Sequence, residues 1–75
     1  MDDNTGAIVV DRTDDELLTI NEVAELLRVP LATVRYWRHL GAGPRGFRLG
    51  RNVRFWRSDV YLWIEGVIHD PNHAA

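Results

Sequence analysis

Apolar side chains recur at helical spacing in three stretches of this chain and at alternate positions in a fourth. Ile20, Val23, Ala24 and Leu27 follow the i, i+3, i+4, i+7 rule and predict an amphipathic helix. Thr19, with Glu22 three residues on, has the form of a capping box, so this helix should begin at Ile20. It should end near Leu27, because Pro30 pushes the residue before it out of the α region. Leu31, Val34 and Trp37, with Leu40 close behind, predict a second helix starting near Leu31 and closed by Gly41. Two short helices across a three-residue turn make a helix-turn-helix.

Ala42 to Gly46 has the composition of a loop, and beyond it the period changes to two. Phe47, Leu49, Val53 and Phe55 are expected to face inward, with Arg48 and Arg54 outward, around a turn at Gly50-Arg51-Asn52. Val60, Trp63, Ile64 and Val67 restore the helical stripe. Ser58 is the expected N-cap of this third helix, Asp59 suits its positive end, and it should fade near Gly66. The predicted fold is mainly α with a small β-hairpin: a winged helix-turn-helix, in which a two-stranded wing and a C-terminal helix follow the helix pair. It should occupy residues 17–67. Residues 1–16, with the isolated apolar run Ala7-Ile8-Val9-Val10, are expected to form a flexible acidic arm, and 68–75 a loose tail.

Composition narrows the class. A chain of 75 residues has room for one domain with a small core, which makes a multi-step enzyme with its own cleft an unfavoured reading. Cysteine is absent, which excludes disulfides and thiolate metal sites. No apolar run approaches the ~20 residues of a membrane span, so no membrane association is expected. The opening Met-Asp-Asp lacks the basic flank of a secretory signal, and the expected location is the cytoplasm.

The distribution of charge says more than its sum of −2. Residues 1–27 carry eight acids and one base, whereas residues 28–57 carry eight arginines and no acid. A balance of +8 in thirty residues is the footprint of a surface for phosphates, the alternative being a solvated basic face offset by acidic ends. All nine basic residues are arginine. Its planar fork suits phosphates and guanine edges, although a GC-rich coding genome gives the same bias.

No Ser-His-Asp set, paired-carboxylate cleft or phosphate-binding glycine loop is present, so no enzyme, cofactor or catalytic residue is expected. His69, Asp70 and His73 imitate a metal cluster but lack a rigid third ligand, and no metal is expected. Trp37 and Trp63 read as core residues. Trp56 breaks the hairpin alternation and stays open between core and base stacking. His39 reads as a solvent-facing helix-end residue or a phosphate contact, and Arg28 and Arg57 as braces at helix ends.

Several segments resemble known families. Leu18 to Leu27 resembles the opening helix of excisionase-like and MerR-like DNA-binding proteins. Val29-Pro30 followed by Thr33-Val34-Arg35-Tyr36-Trp37 is similar to their turn and recognition helix. Phe47 to Phe55 resembles the wing of the small excisionases, and Arg57 to Ile64 the helix that follows it. No MerR-type coiled coil or sensing domain follows, so the resemblance points to phage and plasmid excisionases, also called recombination directionality factors. It implies a protein that binds repeated sites, bends DNA and directs integrase-mediated prophage excision, with double-stranded DNA and a phage integrase as partners.

The residues give that reading a mechanism. A second helix of this kind lies in the major groove, where Arg35 and Arg38 are candidates for base or phosphate contact. Thr33 and Tyr36 offer hydroxyls to phosphate oxygens. Arg51 is placed to enter the adjacent minor groove, with Arg48 and Arg54 on flanking phosphates. Unlike charge blocks, with Tyr61 and Leu62 outside the main apolar stripe, suggest head-to-tail self-association on DNA. Two alternatives remain: a small MerR-like transcriptional regulator, and a protein-interaction module using the acidic arm with Tyr61, Leu62 and Ile68.

Overall fold

The computed structural model describes residues 12–70. Strand β1 (Leu17–Leu18) leads into helices α1 (Ile20–Leu27) and α2 (Leu31–Leu40). Strands β2 (Gly46–Leu49) and β3 (Asn52–Trp56) follow, and helix α3 (Arg57–Ile68) closes the chain order. The three strands form an antiparallel sheet in the order β1-β3-β2. Three helices and this small sheet make the winged helix-turn-helix that the residue pattern predicts. Strand β1, two residues long and paired through Leu17 to Trp56 and Leu18 to Phe55, is an addition that no two-residue pattern could announce.

The start of α1 follows its sequence. Thr19 Oγ1 accepts the Glu22 backbone N–H at 3.1 Å, and Glu22 Oε1 accepts the Thr19 N–H at 2.8 Å. Its end has a second cause besides Pro30. Arg28 takes a left-handed conformation with φ of 57°, and the Arg28 and Val29 N–H groups donate back to Glu25 and Ala24. A glycine more often fills that position. Helix α2 ends in the same way at Gly41, whose φ is 74°.

The hairpin differs from its sequence reading. Leu49 pairs with Asn52 across a two-residue Gly50-Arg51 turn, so Phe47 pairs with Arg54 and Arg48 with Val53. Directly paired residues share a face of the sheet. Val53 and the fully buried Phe55 therefore face the core, whereas Phe47 and Leu49 lie on the opposite face with Arg54 and Trp56. Leu49 is 49% exposed, and Phe47 instead stacks against Trp56, ring centroids 6.4 Å apart. Arg48 and Arg54 thus leave the ribbon from opposite faces rather than the same one.

Helix α3 also differs. It continues past Gly66 to Ile68, and Ser58 lies inside its first turn rather than at the cap. The cap comes from a distant residue: the Asp15 carboxylate accepts the Ser58 N–H at 3.1 Å and the Ser58 hydroxyl at 2.6 Å. Arg12 pairs with Asp15 at 2.7 Å and lies 4.4 Å from the centroid of the Trp56 ring. The Arg57 N–H donates to the Glu16 carbonyl. Residues 12–16, assigned to the arm from sequence, are thereby laid across the start of α3, while residues 1–11 and 71–75 lie outside the described residues.

Leu18, Val23, Ala24, Val34, Phe55 and Val60 form the buried core, so every helix and the central strand contribute to it. Trp37 and Trp63 join α2 to α3 with centroids 5.1 Å apart, which supports their reading as packing residues. Trp56, left open between core and stacking, is occupied by Arg12 and Phe47.

Candidate nucleic-acid interface

Helix α2 turns about 100° per residue, which divides its polar residues into an outer face and two flanks. Val34 is buried and Trp37 half-buried on the inner side. Ala32, Arg35, Tyr36 and His39 fall within about 100° of one another on the opposite side, and all four are exposed. Tyr36 reaches 60% exposure. Thr33 and Arg38, half-buried, lie on opposite flanks. The sequence reading treated Arg35 and Arg38 as equivalent, and the helix separates them. Ala32 joins this face, and its place beside Arg35 and His39 follows from the helical period alone.

Arg38 has a defined destination. Its Nη1 would lie 2.9 Å from a Cβ placed on Gly46, so its guanidinium rests against the root of β2. The helix and the wing are joined there. Gly50 supplies a φ of 64° at the hairpin turn, while Arg51 keeps a negative φ, the sign pattern of a type II′ turn. Arg51 is exposed at the tip. Arg48 is exposed on one face, and Arg54 on the other face donates to its neighbour's carbonyl, Val53 O, at 2.8 Å.

Among the described residues, Arg35, Arg38, Arg45, Arg48 and Arg51 make no side-chain hydrogen bond or ion pair. The two arginines with acidic partners, Arg12 and Arg57, lie instead at the start of α3. The helix-turn-helix and wing thus hold positive charge that the described residues leave uncompensated. Such a surface attracts polyanions. The other titrating feature serves the scaffold: hydrogen bonds from Ser58, then from Glu16 and Arg12, hold the Asp15 carboxyl well below the usual carboxylate range. No group of three or more metal-ligating side chains occurs among the described residues.

A family model described as "Helix-turn-helix domain" matches residues 17–67. The chain belongs to this helix-turn-helix domain family. It is a family that includes excisionase-like DNA-binding proteins, and membership supports binding to double-stranded DNA. No curated protein and no solved structure matches the chain. Within the helix-turn-helix domain, the matched span runs from β1 to the last turn of α3 and so includes both α2 and the wing. No helix among the described residues is long and apolar enough to cross a membrane.

Proposed function

We propose that the protein is an architectural, sequence-specific DNA-binding protein of the excisionase type, working in the cytoplasm on DNA with a phage integrase as partner. The observation that carries this reading is the set of unpaired arginines shared between α2 and the wing. The outer face of α2 enters the major groove, with Arg35 reading base edges and Tyr36 and Thr33 setting register on phosphates. The wing enters the neighbouring minor groove through Arg51, and Arg48 and Arg54, leaving opposite faces of the ribbon, take the phosphates on its two sides.

A protein that grips adjacent grooves from one side favours bent DNA, which is the architectural part of the role. One such module buries only about 600–1,000 Å² against DNA, so specificity over a long site needs several protomers. Tyr61 and Leu62, exposed on α3, supply apolar surface for a head-to-tail contact between neighbours. Footprinting with circular-permutation bending assays, followed by integrase recombination assays, tests the reading. The expected result is protection of tandem direct repeats beside an attachment site, a bend, and excision that requires the protein. A two-fold palindromic footprint without an effect on recombination would make it a transcriptional regulator instead.

A further inference from the structure

The loop between α2 and β2 lies outside both DNA-contacting elements, yet it lines an open concavity. It is lined by residues 41–46, by Arg38 of α2 and by Asp59, Leu62 and Trp63 of α3. The Arg38 guanidinium rests on Gly46, the residue immediately after Arg45. Arg38 and Arg45 both line this notch, and neither is hydrogen-bonded or ion-paired within the described residues.

An anion in a notch lined by two arginines that are not ion-paired gains charge-assisted contacts from both. Two glycines let the loop form this wall. Gly43, with φ of 81°, passes so close to the Trp37 side chain that a Cβ there would lie 3.0 Å from it. A side chain at Gly46 would occupy the space of the Arg38 guanidinium and of the Phe55 ring. We propose that this notch is a binding site for a single phosphate of the DNA backbone, held by Arg45 together with Arg38 at the point where the strand passes from α2 to the wing. The proposal rests on the DNA-binding reading and adds Arg45 to it. Arg38 is thereby a backbone contact rather than a reader of bases.

The position explains how two elements reading different grooves keep a fixed register. A phosphate clamped at their junction sets the distance from major-groove helix to minor-groove wing, without carrying sequence information itself.

The test pairs Arg45→Ala with single methylphosphonate substitutions along the bound duplex. Arg45 is exposed and unbonded, so Arg45→Ala should keep the wild-type melting temperature. It should weaken cognate and random DNA alike by about tenfold and make the salt dependence shallower by about 0.9. One methylphosphonate position should weaken the wild type to the same extent and weaken Arg45→Ala no further, since both changes delete one contact. Wild-type affinity in Arg45→Ala, or additive losses at every methylphosphonate position, would overturn the notch while leaving DNA binding intact. A wild-type protein that fails to bind duplex DNA would overturn the parent reading and the notch together.

Discussion

Asp15 caps α3 from 43 residues away, accepting both the backbone N–H and the hydroxyl of Ser58. A helix start leaves unpartnered N–H groups and partial positive charge, and a carboxylate answers both. The segment before β1 thus works as a strap, tied at its other contact by Arg12 against the Trp56 ring. Asp15→Ala should lower the melting temperature by a few degrees, and Asp15→Asn should do the same to a lesser degree. The folded-state pKa of Asp15 is depressed, so its contribution is present above the ordinary carboxylate value of about 3.9 and is lost as pH falls below it. Thermal melts of wild type and Asp15→Asn should therefore converge as the pH is lowered below that value. A constant gap at all pH values would remove Asp15 from the capping role.

Gly46 is constrained from two directions. A Cβ there would sit 2.6 Å from Phe55 Cε2 and 2.9 Å from Arg38 Nη1. Phe55 is fully buried at the centre of the core and cannot retreat. Gly46→Ala should cost about 1–3 kcal/mol by denaturant titration, the range for overpacking a core. Gly50→Ala meets no neighbour, and its cost should come only from the positive φ.

Arg28 gives a prediction of the opposite sign. It is the one non-glycine residue with positive φ among those described. The left-handed conformation costs an L-residue about 1–2 kcal/mol, and glycine escapes it. Arg28→Gly should be more stable than Arg28→Ala by about 1 kcal/mol in denaturant melts, since both variants lose the same charge. Equal stability of the two would show that the α1 end is not strained.

Helix α2 and the wing should respond differently to truncation. Arg35→Ala should lose about 1–3 kcal/mol on a site selected from random duplexes and less on unselected DNA. Arg51→Ala should weaken both more evenly and reduce the proposed bend, because a wing tip responds to groove shape. Titrations on selected and unselected duplexes check both, and equal losses for Arg35→Ala would make it a phosphate contact.

A two-residue turn at Gly50-Arg51 pairs residue numbers that sum to an odd value, as Leu49 with Asn52 and Phe47 with Arg54. Residues 47, 49, 53 and 55 therefore cannot all share a face, and the turn length alone determines this. Reading Gly50-Arg51-Asn52 as a three-residue turn hid the parity. Helices α1 and α2 were legible because each carries a continuous 3.6-residue stripe with its own cap or terminating glycine. The Asp15 cap was not legible, since a plausible local cap, Ser58, stood in its place and nothing local links positions 43 apart. At the basic surface, sequence supplied the arginines but not their grouping. Which of them face outward, which one rests on Gly46 and which brace α3 depends on the packing of three separate elements.

The proposed surface for DNA comprises Arg35, Arg38, Arg45, Arg48 and Arg51, in a protein whose net charge is −2. The direct measurement is duplex affinity across a range of salt concentrations. Each neutralised phosphate contributes a slope of about −0.9 in a plot of log affinity against log salt, so about five contacts predict −4 to −5 per protomer. Strong binding at low salt with that slope supports the account. A slope near zero would contradict it.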